Sequence, residues 1–271
     1  MDKIKMKDDK LNYLATMGLF NIAQFVSFKP GQDITLHHVN IRDYNYNGTE
    51  TYKEVITDLI RSSNSKLVNI RSFSHDSMKG NKLIMNKGID NLQEIISIVK
   101  ENTLTDTFTI INENIDISDG GVSGVVLGNV IEFAPEDTPK CVDKEGVCSL
   151  PKEIGYDILD KVYGITPKLN FPDEYRVEFS IHPERQGVKK EHTIVWEYEK
   201  YDSYTHKEKI NWPNRFSQFI GDKVFGLLVA DTLNFKVPKT TVISRKVAPF
   251  TFGKETGLKE KFLIPIDELE K

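Results

Sequence analysis

The run Arg176 to His182, RVEFSIH, alternates polar and apolar residues without a break. Successive side chains of a strand point to opposite faces, so Val177, Phe179 and Ile181 share one face and Glu178, Ser180 and His182 the other. His192 to Glu199 alternates likewise, with Val195, Glu197 and Glu199 on one face. Turn residues Pro183 to Gly187 lie between the runs, which predicts an antiparallel hairpin with a long tip. If the register allows, Glu178 and Glu197 then stand on one surface. Val177, Phe179, Ile194 and Trp196 are assigned to the core. Further β-rich runs occur at 67–71, 107–111 and 122–133, the last broken by Gly128 and Asn129 into a hairpin.

Helical patterns separate these runs. Thr51 and Glu54 form a capping box ahead of Val55, Ile56, Leu59 and Ile60, which predicts a helix over about 52–62. Asp90 is expected to cap a second helix, with Leu92, Ile95, Ile96 and Val99 on its buried face. Pro151 suits the first turn of a third that ends at Gly164. A fourth starts after Gly221 and carries Val224, Phe225, Leu227, Leu228 and Leu233. Helices mixed with hairpins give an α+β chain with mixed or antiparallel sheets and flanking helices. The polar stretch 200–214 reads as a linker between residues 1–199, with 1–50 as an N-terminal extension, and a helix-strand segment at 215–271.

With 271 residues there is chain enough for one large domain or two ordinary ones. Lys and Arg number 36 against 40 Asp and Glu, so no overall basic field draws the chain to nucleic acid or anionic lipid. Leu11 to Phe28 is the longest apolar stretch, but Asn12, Thr16, Asn21 and Gln24 interrupt it. A spanning helix needs roughly 20 nearly unbroken apolar residues, so this stretch is expected to be a buried helix and the protein cytoplasmic. Cys141 and Cys148 make neither a disulfide framework nor a complete zinc site, and both read as reduced thiols.

Four places could carry chemistry. Arg71 leaves an apolar strand beside Ser72 and Ser74, a set suited to phosphate oxygens and equally to an ordinary surface ion pair. Gly120, Gly121 and Gly124 allow close backbone approach around Ser123, to a phosphate or merely within a tight turn. Glu178 and Glu197 could share Mg²⁺ or form a solvated face. Lys223 stands at a helix start that favours an anion, or is simply exposed. His37 and His38 fall in a strand-like run, and His182 and His192 flank the hairpin tip; all four read as structural or surface residues.

In combination, VNIRSFS at 68–74 resembles the VRSSA segment of the ATP-grasp-like nucleotide-binding domain of the phosphoenolpyruvate synthase and pyruvate phosphate dikinase family. INENIDISDGGVSGVVLGN resembles the family's stretch ending in VSGVMFT. VIEFAPEDTPKCVDK is similar to the segment that follows, and RVEFSIHP with TIVWEYE resembles the family's IEWAID hairpin and returning strand. GDKVFGLLVADTLNFKVPKTTVISR, residues 221–245, resembles the family's opening GGKAANLGEL block, which there comes first. The domain is therefore circularly permuted, or the chain holds the end of one module and the truncated start of another.

The resemblance implies an ATP-grasp-like fold that uses ATP and Mg²⁺. Arg71 and Lys223 would hold nucleotide phosphates and act in catalysis, Ser72, Ser123 and Glu132 would contact the nucleotide, and Glu178 with Glu197 would hold Mg²⁺. Phe73 replaces a serine of the family's segment, and Glu197 stands where the family has Gln. Nothing resembles the family's swivelling phosphohistidine domain. The implied function is an ATP-dependent phosphotransferase or activating enzyme whose acceptor is undefined. The alternative is an inactive nucleotide-sensing or scaffolding subunit, with a partner protein or further domain completing the site. Nucleic-acid binding through Arg185, Lys189, Lys190, Lys207 and Lys209, with Tyr204 and Trp212 for stacking, is disfavoured because Glu184, Glu191 and Glu208 interleave with the bases.

Overall fold

Thr51 and Glu54 do form a reciprocal cap: Glu54 N–H donates to Thr51 Oγ1 (3.4 Å) and Thr51 N–H to Glu54 Oε2 (2.7 Å). The helix they start, α2, spans Tyr52–Ser62 and buries Val55, Ile56 and Leu59. In this computed structural model the described residues are 7–74, 84–104, 107–138, 144–167, 169–201 and 210–255. Cys141, Tyr204, Lys207, Glu208 and Lys209, and with them most of the expected linker, lie outside the described residues. The chain divides into two compact units, Met1–Asp116 with Arg185–Ile194, and Ile117–Glu184 with Val195–Lys271. Among the described residues no helix is long and apolar enough to cross a membrane.

In the first unit the stretch 11–28 is not one helix. Helix α1 covers Lys7–Thr16, Gly18 turns the chain at φ +63°, and the apolar residues that follow become strand β1, Phe25–Lys29. The remaining elements are β2 (Thr35–Asn40), β3 (Val68–Ser74), β4 (Ile84–Ile89), α3 (Leu92–Leu104) and β5 (Thr107–Glu113), in an antiparallel sheet of order β2-β1-β5-β3-β4. Helix α3 is capped by Asn91, whose Oδ1 accepts from Gln93 and Glu94 N–H (2.9 and 3.1 Å), rather than by Asp90. Val26, Phe28, Val68, Ile70 and Ile111 on one sheet face pack with Val55, Ile56 and Leu59 of α2 and Ile95 and Val99 of α3. Each such side chain removed from water contributes roughly 1.5–3 kcal/mol.

The second unit is built on β6 (Val122–Leu127), β7 (Val130–Pro135), β8 (Cys148–Pro151), β9 (Tyr175–Gln186) and β10 (Glu191–Lys200), in the order β10-β9-β6-β7-β8, the tip residues Arg185–Ile194 of the last hairpin counting with the first unit. Strand β6 pairs antiparallel with β7 and β9, and β7 with β8. The β6–β7 turn falls at Gly128 and Asn129, as the sequence predicts. The β9–β10 turn falls later than Pro183 to Gly187, because β9 continues to Gln186. Helices α4 (Lys152–Tyr163), α5 (Arg215–Ile220) and α6 (Asp222–Thr232) and the pair β11 (Thr240–Val242) and β12 (Phe250–Phe252) complete it. Pro151 is the N-cap of α4 and Gly164, in the left-handed region, its C-cap; Leu233 lies just past α6 and is exposed. On one face of this sheet Phe179, Gly124, Phe133 and Cys148 form a cross-strand row, and Phe133 meets Phe216 of α5 edge to face at 4.9 Å. A Cβ at Gly124 would stand 2.1 Å from Glu132 O, so the glycine serves an approach to the protein's own backbone. The whole is an α+β fold with antiparallel sheets and flanking helices, as expected from the sequence.

Glu113 is buried in the first unit, where its carboxylate accepts from Gln24 N–H and Gln24 Nε2–H, both at 2.8 Å. Burial raises its pKa above the ordinary 4.5 and outweighs those bonds and the Arg42 charge. The folded state therefore holds this proton to higher pH than the unfolded chain, and stability declines as pH rises from 4.5 through the raised value. Glu113→Gln is expected to flatten that decline in urea unfolding measured across the window. An unchanged slope would contradict the assignment.

Candidate functional site

The antiparallel register of the second unit places a polar row on the face of its sheet opposite Phe179 and Phe133. Glu178 pairs with Val125, Val125 with Glu132, and Glu132 with Ser149, so the four share one face. Two strand spacings separate Glu178 from Glu132, about 9.6 Å between backbones. Ser180 and Ser123 form the next row, opposite Ala134. Glu178, Glu132, Ser149, Ser180 and Ser123 are all buried, at 1–4% exposure. The alternation of β9 is thus real, but its polar face is enclosed instead of solvated, and both faces of the strand are buried.

Each buried polar group needs a partner, because stranding one costs about 1–3 kcal/mol. Glu178 Oε1 accepts from Arg176 Nη1 at 2.7 Å. His182 Nδ1 lies 2.8 Å from Asp119 Oδ2 and His182 Nε2 lies 2.7 Å from Ser180 Oγ, while Trp196 Nε1 donates to the same oxygen at 2.7 Å. An indole nitrogen only donates, so Ser180 Oγ accepts that proton, and its remaining lone pair and its own proton let it either accept from or donate to His182 Nε2. His182 Nδ1–H donates to the Asp119 carboxylate. Serine, histidine and aspartate stand here in the order used to activate a nucleophile. Ser180, however, is 1% exposed, and its oxygen is already held by the indole. The relay therefore fixes β9, β10 and the loop bearing Asp119, which agrees with a structural reading of His182. Ser149 Oγ differs: among the described residues this buried hydroxyl has no hydrogen-bond partner.

The other expected residues are placed as follows. Arg71 and Ser72 are consecutive on β3 and so face opposite sides of the first unit's sheet. Ser72 is fully buried against α3, its Oγ accepting from Asn102 Nδ2 (2.8 Å) and bonded to Thr109 Oγ1 (2.9 Å). The reading of Arg71 flanked by a phosphate-binding Ser72 hydroxyl is corrected by that alternation. Arg71 pairs across the strands with Ile110 and is half-buried. Glu197 is half-buried on β10. Trp196, expected in the core, is also half-buried. Lys223 is exposed in the first turn of α6, beside Asp222, whose Oδ1 accepts from Ser217 Oγ and Trp212 Nε1. A Cβ at Gly121 would lie 2.1 Å from Ile181 O, so this glycine too serves an internal backbone contact.

Asp137, just beyond β7, accepts from Lys144 Nζ (2.9 Å) and from Arg215 Nη1. Burial alone would raise its pKa, yet the two cations hold it below the usual carboxylate value. On the face opposite the row, Cys148 is a buried free thiol, and burial pushes its pKa well up, so it is an unreactive neutral group. Ser149 and the relay through Asp119 and Trp196 were missed in the sequence. Burial of a one-sidedly polar strand is the only signal that could have found them, and it depends on what packs above.

No known sequence family matches the chain, and no curated protein does. Among solved structures the chain is similar to the D-alanine-D-alanine ligase from Coxiella burnetii, at 13% identity over 84% of this chain and 54% of that one, TM-score 0.34. It is also similar to an L-amino acid ligase from Bacillus licheniformis, at 13% identity over 72% of this chain and 42% of that one, TM-score 0.30. The chain thus matches only about half the length of either structure, and scores of this size transfer neither fold nor function.

Asp119→Ala would leave the buried Nδ1–H of His182 without its carboxylate. A loss of about 1–3 kcal/mol is expected in urea unfolding. An unshifted midpoint would contradict the relay.

Proposed function

We propose that the chain binds ATP with Mg²⁺ on the polar face of the second unit's sheet. The observation that carries this reading is the row Glu178, Val125, Glu132, Ser149: two buried carboxylates and an orphaned hydroxyl on one face. Mg²⁺ takes hard oxygen ligands, commonly one or two carboxylates together with substrate phosphates, and the donors of this row are of that kind. Glu178 is the residue proposed to hold the metal, and Ser123 and Glu132 the nucleotide; Glu197, which follows Trp196 on β10 and so by alternation faces away from Ser180, and Lys223, on a helix stacked over the opposite face, are not brought to this row. When bound, the nucleotide supplies a transferable phosphoryl group. The chain's own residues would orient it and offset its charge, which is most of what phosphoryl transfer demands. The acceptor reaction would be phosphotransfer or ATP-dependent activation of an acceptor.

One observation favours a second reading, a nucleotide-sensing or scaffolding subunit without turnover. Glu178 is already neutralised by Arg176 at 2.7 Å, which weakens its claim on a metal.

Calorimetric titration of the purified chain with ATP, with and without Mg²⁺, tests the proposal. Saturable Mg²⁺-dependent binding is expected, weakened by Glu132→Gln. Glu178→Gln should remove the metal requirement more than nucleotide affinity. Absence of binding to the wild-type chain would overturn the reading, and binding with no ATP turnover would favour the second one.

A further inference from the structure

In the first unit, β2 departs from regular pairing at the two adjacent histidines. Phe25 and Val26 of β1 pair with Asn40 and Val39, but Phe28 pairs with Leu36, so His37 and His38 together oppose the single residue Ser27. This is a β-bulge, which re-aims a side chain that alternation would send to the far face. The two imidazoles consequently lie on one side, with ring centroids 3.9 Å apart. Helix α1 meets them with two consecutive carboxylates. His37 Nδ1 is 2.9 Å from Asp8 Oδ2, and His38 Nε2 is 2.8 Å from Asp9 Oδ1, which is also 3.8 Å from His37 Nε2. Asp8 is completely buried and its other oxygen accepts from Asp9 N–H at 3.0 Å.

A buried carboxylate needs a cation, and stacked imidazoles repel if both supply it by taking a proton. A divalent ion satisfies the carboxylate while leaving both rings neutral. One ligand atom from each of Asp8, His37 and His38 lies within 4.8 Å of the other two. Tetrahedral zinc, with bonds of about 2.0–2.2 Å, spaces its ligands about 3.4 Å apart, between the 2.9 Å of His37 Nδ1 from Asp8 Oδ2 and the 4.8 Å within which all three ligand atoms lie, so a modest readjustment of these side chains reaches it. Two imidazoles and a carboxylate suit zinc and its first-row neighbours, whereas Mg²⁺ and Ca²⁺ prefer oxygen alone.

We propose that Asp8, His37 and His38 bind a divalent transition-metal ion of the zinc class, tying α1 to the bulge of β2, with Asp9 completing the set or orienting a ligand. This site is independent of the proposed nucleotide site. It was not legible in the sequence, because a regular strand would have placed His37 and His38 on opposite faces.

The test is titration of the full chain, stripped by chelator, with Zn²⁺ alone, and with Co²⁺ to read the coordination geometry by absorption. One ion per chain is expected, with proton release that grows as pH falls. His37→Ala and His38→Ala should each weaken Zn²⁺ by at least about tenfold. Asp8→Asn, which keeps an oxygen to accept from His37, should also bind more weakly while circular dichroism stays that of the wild type. In the wild-type chain the imidazole nitrogen resonances of His37 and His38 should shift on adding Zn²⁺, so the proposal stays testable if an alanine variant fails to fold. Excess Mg²⁺ and ATP should not displace the ion, which separates this outcome from failure of the nucleotide proposal. No saturable Zn²⁺ binding, imidazole resonances that do not move, or equal affinity in all variants would overturn it.

Discussion

Strand β9 is buried on both faces, and the rest of the second unit is organised by that constraint. On one face Val177, Phe179 and Ile181 join the aromatic packing under the helices. On the other, every polar side chain must find a partner inside, since an isolated buried charge is far more costly than the packing around it can offset. Arg176 meets Glu178, and Asp119, His182, Ser180 and Trp196 pass one chain of hydrogen bonds through the face. Removing any member strands its neighbour, so the group acts as a unit.

The same logic isolates the groups with spare capacity. Ser149 Oγ has no partner among the described residues, and it stands in register with the two buried carboxylates of the row. The relay of Asp119, His182, Ser180 and Trp196 lies beside this row, on the same face of β9.

Periodicity and caps made much of the fold legible. Thr51 with Glu54, the Gly128 and Asn129 turn, Gly164 and the alternation of β9 act through local geometry, and each appears where the sequence puts it. What failed was decided at long range. Nothing between Leu11 and Phe28 reveals that Gly18 divides a helix from a strand paired on both sides, because the choice rests on pairing with residues 109–112 and 35–40. Asn91 displaces Asp90 as a cap by one residue, a difference of side-chain reach. Arg71 and Ser72 sit close in sequence but on opposite faces, which strand geometry alone foretells once the strand is known to extend past Arg71. The bulge at His37 and His38 is a pairing event and leaves no local mark.

The central claim is that the polar face of the second unit's sheet receives a nucleotide. Amide hydrogen exchange with and without ATP and Mg²⁺ tests it most directly. The account predicts slower exchange concentrated in residues 122–135, 148–151 and 176–182 when the nucleotide is present. Protection confined to other segments, or none at saturating nucleotide, would contradict it.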